Sequence, residues 1–196
     1  MKSTNLIKKA LNMVLIVSII MSFIAYPVSL FACGVPLLNQ FDETTHPNPQ
    51  YRANACGPVA LAMALQYYGK NYGNLPALVE ATGVTATNGA TANSLINTAN
   101  TYLPNSHYSW LIEFYPTSMA YLQSELNSGA FVIVPISVPN APPEGHYVLV
   151  WGFNATDVIY NDPATGAVGT MTINAFAAAW AAINDHVCIS IHGGGI

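Results

Sequence analysis

The chain has 196 residues, of which 52% are hydrophobic and only 7% charged. Lys2, Lys8 and Lys9 hold three of its five basic side chains. With residues 1–32 set aside as a targeting segment, Arg52 and Lys70 face all nine acidic residues. A domain this acidic excludes nucleic-acid binding, because phosphate contacts need Lys and Arg. Residues 33–196 suit a single domain with a full core.

The three lysines form a basic n-region, and residues 13–25 are an apolar run interrupted only by Ser18 and Ser22. This reads as an exported chain's signal, because the run is short for a spanning helix, which needs about 20 residues. A looser count over 11–32 also permits an uncleaved anchor. Ala32 suits a signal-peptidase cut. Alternatively, Leu30-Phe31-Ala32-Cys33 resembles a bacterial lipobox with Cys33 to be lipidated, Phe31 being its departure from that pattern. The cysteines are Cys33, Cys56 and Cys188. Export allows disulfides. Cys33, unless lipidated, can pair with Cys188, which leaves Cys56 as a reactive thiol.

In chain order, residues 34–40 are apolar and extended and end in Asn39-Gln40, and 41–55 are a polar loop. Pro58 suits a first helical turn, so a helix opens at Cys56, continues through Ala, Leu and Met residues and stops near Gly69. Further helices are expected over 75–82 (closed by Gly83), 91–103 (stopped by Pro104), 118–127 (capped by Thr117 and ended by Gly129) and 174–182, with Asn174 as cap. Strands are expected over 130–138, 146–153, 157–161, 168–173 and 186–192. Pro135 then belongs at a bulge or an edge. Helices first and an antiparallel sheet afterwards predict an α+β fold.

Cys56 at a helix N-terminus meets orphan N–H groups and the positive end of the helix dipole, both of which favour a thiolate. Cysteine catalysis also needs a base, a group to orient it and donors for an oxyanion. His146 opens a strand after a Pro/Gly-rich loop and is the candidate base, whereas His46 and His107 fall in polar loops and His186 and His192 near the tail. The hairpin that starts at His146 returns to Asp162, which places that carboxylate beside the imidazole. Asn161 is the other candidate orienter. Gln40, with the Cys56 backbone N–H, is the candidate oxyanion donor.

Four separated segments carry a resemblance. They are Val35-Pro36-Leu37-Leu38-Asn39-Gln40, Ala55-Cys56-Gly57-Pro58-Val59-Ala60-Leu61-Ala62-Met63, Gly145-His146-Tyr147-Val148-Leu149-Val150-Trp151-Gly152-Phe153 and Tyr160-Asn161-Asp162-Pro163. In sequence and order the chain resembles the bacteriocin-processing-peptidase-like proteins. These are stand-alone relatives of the double-glycine leader peptidases, in the papain-like superfamily. The resemblance spans residues 35–180, with Phe176 and Trp180 similar to the family's late helix. It implies a papain-like fold, a helical half bearing Cys56 packed on an antiparallel sheet bearing His146 and Asp162. It also implies a cysteine peptidase with Cys56 as nucleophile, His146 as base and acid, Asp162 as orienter and Gln40 as oxyanion donor. A peptide or protein is the implied substrate, and no cofactor or metal is required. Nothing in the chain resembles an ATPase or a transporter bundle, so leader cleavage is not implied.

Three other readings compete. The fold can serve as an inactive peptide-binding or cell-surface module, or it can transfer the acyl group to an amine. His186, Cys188 and His192, on one face of the last strand, can meet a metal, although their spacing follows no zinc pattern. Membrane contact is expected only through the signal or a lipid at Cys33, and the sequence does not specify an oligomeric state.

Overall fold

A computed structural model describes residues 34–110, 117–139, 145–183 and 187–193. The expected signal segment, Cys33 and His186 lie outside them. The elements, in order, are α1 (Pro49–Ala53), α2 (Cys56–Tyr67), α3 (Leu75–Ala81), α4 (Ala92–Tyr102), β1 (His107–Trp110), α5 (Thr117–Asn127), β2 (Phe131–Ile136), β3 (His146–Phe153), β4 (Asp157–Asp162), β5 (Ala167–Thr172), α6 (Ile173–Ala181) and β6 (Val187–Ile191). The strands form one six-stranded antiparallel sheet in the order β1-β6-β2-β3-β4-β5. The fold is α+β, as expected, with helices on both faces of the sheet.

Alternation along the strands sorts the core into two layers. Leu149 and Trp151 of β3, Ile133 of β2 and Ile189 of β6 face α2 and α4, where they meet Leu61, Met63, Leu65 and Leu95. Val148 and Val150, with Val132, Val134 and Cys188, face α5 and α6 and meet Leu122, Phe176 and Trp180. Helix α2 is buried from Gly57 to Leu65. A helix that is apolar all round must lie inside the molecule, and this one does.

Pro135 fits the sheet for a specific reason. β6 pairs only with Phe131–Ile133 of β2, so Pro135 lies past the end of that ladder and no N–H is missed there. Between β3 and β4 the register shifts by one at Trp151, and the bulge turns Phe153 onto the α5/α6 face.

Several expectations are corrected. The loop before Cys56 contains α1, whose Asn48 side chain accepts the Gln50 N–H while Pro49 occupies the first turn. His107 is in an edge strand, not a loop. The cap of α6 is Thr172, whose hydroxyl accepts the Ala175 N–H, and Asn174 lies inside the helix. Cys188 is fully buried on the α5/α6 face. Pro36, by contrast, is tied by its carbonyl to Asn161 of β4 on the opposite face, three strands from β6. Strands about 4.8 Å apart put roughly 14 Å between these two strands. The alternative pairing of Cys188 with Cys33 falls on a residue outside the described ones.

Candidate active site

Cys56 is the first residue of α2. The residue before it, Ala55, has no side chain able to cap the helix, so the first-turn N–H groups stay available to a thiolate or an oxyanion. Gly57 lets this end of the helix lie against the sheet. A Cβ there would stand 3.0 Å from Leu95 Cδ1 and 3.2 Å from Tyr147 Cδ2. The helix end is thereby held beside the start of β3, where His146 is the first residue.

His146 is 8% exposed. Gly145 precedes it at φ +88°, a conformation that glycine adopts without strain, and a Cβ there would also crowd Ile183 and the Ile136 carbonyl. On the other side of the hairpin, Val150 pairs with Tyr160 and Leu149 with Asn161. Continued at the same offset, that register puts Asp162 diagonally beside His146 on the same face. The His146 Nε2 to Asp162 Oδ1 distance is 2.6 Å. The same carboxylate oxygen accepts the Ala164 N–H at 2.8 Å, so Asp162 both opens its turn and holds the imidazole. Gly166, at φ +66°, closes that turn by donating its N–H to the Asp162 carbonyl.

The Cys56 side chain also acts on the imidazole and favours its protonated form. With Nε2 directed at Asp162, Nδ1 is the nitrogen left to face the sulfur. Burial opposes a charge on His146. Hydrogen bonding of the ring N–H groups to Asp162 and Cys56, together with the charges of those groups, outweighs it and pushes the imidazole up to about 9. For Asp162, burial raises the carboxyl, but the His146 hydrogen bond, the Ala164 N–H and the imidazolium charge win and hold it below its usual value. Near neutral pH the pair is therefore imidazolium and carboxylate.

Asn161 is not beside His146. Its Oδ1 accepts the Trp151 indole N–H at 2.8 Å and its Nδ2 donates to the Pro36 carbonyl at 2.9 Å. It points into the α2/α4 layer and fastens the N-terminal segment to the sheet. Gln40 is tied to the end of α1, three to four residues before Cys56 in the chain. Its backbone N–H donates to the Pro163 carbonyl at 2.7 Å, linking it to the Asp162 turn. Its Nε2 donates to the carbonyls of Arg52 and Ala53 at 3.1 and 3.3 Å, and its buried Oε1 has no partner among the described residues. Sequence reasoning missed Gly57 and Gly145. Their signal was present, a glycine beside each reactive residue, but its meaning depended on which neighbours pack there.

The model of the Peptidase_C39 like family matches residues 33–188. The chain belongs to that family. Solved structures agree on the fold. A candidate C39-like peptidase from Bacillus anthracis has a TM-score of 0.60 at 18% identity, over 81% of this chain and 95% of that one. The peptidase domain of ComA from Streptococcus, a bifunctional ABC transporter involved in quorum sensing, has 0.53 at 20% identity, over 80% and 96%. A double-glycine-motif protease from an AMS/PCAT transporter, solved in complex with the leader peptide, has 0.52 at 19% identity, over 83% and 94%. A search of curated proteins found no significant match. This C39-like protein thus has the papain-like architecture of cysteine peptidase domains. Among its described residues no helix is long and apolar enough to cross a membrane.

Proposed function

We propose that this C39-like protein is an exported cysteine peptidase that hydrolyses peptide bonds through Cys56, His146 and Asp162. The observation that carries the reading is the 2.6 Å contact between His146 and Asp162, on an imidazole whose protonated form Cys56, at an uncapped helix N-terminus, also favours. The substrate is a peptide or protein, in keeping with the leader peptide bound to one relative.

In the proposed reaction the Cys56 thiolate attacks the carbonyl carbon, and the carbonyl electron pair moves onto oxygen. The Cys56 backbone N–H and the Gln40 amide hold that oxyanion. For Gln40 to act, the N–H on the Ala53 carbonyl, its longer contact, turns to the oxyanion. The tetrahedral species collapses, His146 gives its proton to the departing amine, and an acyl-enzyme remains. Neutral His146 then takes a proton from water, hydroxide displaces the thiolate, and the acid product leaves. Asp162 keeps the imidazole oriented and stabilises its charged form. Export rests on the segment at 1–32, with Cys33 as the site of any lipid anchor.

The test is digestion of a diverse peptide library by the purified protein, read by mass spectrometry in water enriched in ¹⁸O. Cleavage with ¹⁸O in the new carboxyl, absent in Cys56→Ala, is the expected result. A product that forms only with an amine acceptor would make it a transferase. Uncleaved peptides that nevertheless bind would make it a binding module.

A further inference from the structure

A second cluster of reactive side chains lies away from Cys56. His107 opens β1 at the sheet edge, His192 directly follows β6, and Glu125 comes from the last turn of α5. His107 pairs with Ser190, so His107 and His192 project from the same face, the one α5 covers. His192 Nε2 is 3.1 Å from Glu125 Oε2, and His107 Nε2 is 3.6 Å from the same oxygen. All three ligand atoms lie within 4.8 Å of one another. The two imidazoles are stacked, 5.0 Å apart and 20° from parallel.

We infer that His107, Glu125 and His192 bind a divalent cation of the zinc class. Three observations carry this. The first is spacing. An ion about 2.0–2.1 Å from each of two tetrahedral ligand atoms sets those atoms about 3.3 Å apart, between the two distances from Glu125 to the histidines; the two Nε2 atoms, within 4.8 Å, would close on the ion as His107 Nε2 exchanges the Tyr121 hydroxyl, 3.2 Å away, for it. The second is charge. Glu125 is mostly buried and its only ion-pair partners among the described residues are these histidines, so it would supply the one anionic ligand beside two imidazoles. The third is the Ser190 hydroxyl. It is buried on the same face, directly across from His107, and has no hydrogen-bond partner among the described residues. A metal-bound water is a group able to satisfy it.

Two imidazoles and one carboxylate suit zinc better than calcium or magnesium, which prefer oxygen ligands. The site is separate from Cys56. It lies at the Phe131 end of β2 and His146 at the Ile136 end, about 17 Å away along the strand. Its ligands come from α5, β1 and β6, so the ion would fasten the edge strand and that helix to the sheet.

The experiment uses untagged protein carrying Cys56→Ser, so that the reactive thiol cannot take the metal. Zinc is titrated against a chromophoric chelator and the bound metal is counted by mass spectrometry. One zinc per chain is expected, with affinity lowered at least tenfold by Glu125→Gln and by His192→Ala. Zinc is expected to raise the melting temperature of the parent but not of those variants. His107→Ala alters a largely exposed side chain, so it tests the site even if a buried substitution unfolds the chain. Absence of stoichiometric zinc, or equal affinity in the parent and His107→Ala, would show a hydrogen-bonded cluster and overturn the inference.

Discussion

Replacing Cys56 by serine is expected to abolish hydrolysis, with a fall in kcat of at least about 10⁴-fold, while the fold persists. The magnitude follows from what is removed. Loss of a nucleophile in enzymes of this logic costs on the order of 10⁶ in kcat, leaving only binding and oxyanion stabilisation. A serine hydroxyl is far less acidic than a thiol, and His146, pushed up to about 9, is already protonated near neutral pH and cannot take its proton there. The same substitution carries a second readout that a merely structural cysteine would not move. Part of the upward push on His146 comes from the Cys56 hydrogen bond and charge. The imidazole titration, followed by NMR, is therefore expected to shift downward in Cys56→Ser. An unmoved titration would mean that the two side chains do not interact in solution.

The second large effect is expected at Asp162. Asp162→Asn removes the charge that favours imidazolium and is expected to lower kcat by about 10⁴, the cost of a mis-set tautomer in a triad enzyme. It also changes the pH dependence of stability, with a sign that follows from linkage. His146 is raised in the folded state, so its contribution is complete below about 6.5 and is lost as pH rises towards about 9. Asp162 is lowered, so its contribution is present above the usual carboxylate value and is lost as pH falls through the lowered one. The wild type is thus expected to lose stability between about pH 6.5 and 9, by up to a few kcal/mol at about 1.4 kcal/mol per pK unit. In Asp162→Asn that alkaline loss is expected to shrink, because His146 no longer gains as much from folding. Urea midpoints measured from pH 4 to 10 on both proteins check this. Identical profiles would show that the pair does not form.

Much of this site was legible before any fold was in hand, for local reasons. Pro58 and the run of Ala, Leu and Met after it fix α2, which fixes Cys56 at the helix mouth. Valine-rich alternation fixes β3, and a short return strand brings Asp162 back beside His146. What remained closed depended on distant partners. Asn161 and Asp162 are neighbours in sequence and equally able to hold an imidazole. The parity of the strand decides between them, sending one to the α2/α4 layer and the other to His146. Strand β1 has four residues and its partners lie some eighty positions on, so no local pattern marks His107 as part of a sheet. The bulge at Trp151 was hidden for the same reason. The metal-like cluster shows the limit most clearly. Strand parity groups His192 with Cys188 and His186, yet its partners, Glu125 and His107, come from α5 and the sheet edge. Cys188 instead lies sealed in the core.

The most direct test of an activated Cys56–His146 pair is the rate of iodoacetamide alkylation as a function of pH, with the modified cysteine located by mass spectrometry, in wild type and His146→Ala. A thiolate paired with imidazolium reacts well below pH 8.5, the approximate value of a free thiol. The expected result is rapid modification of Cys56 near pH 6, lost in His146→Ala. If Cys56 titrates as an ordinary thiol in both proteins, the pair is not activated and the peptidase reading fails.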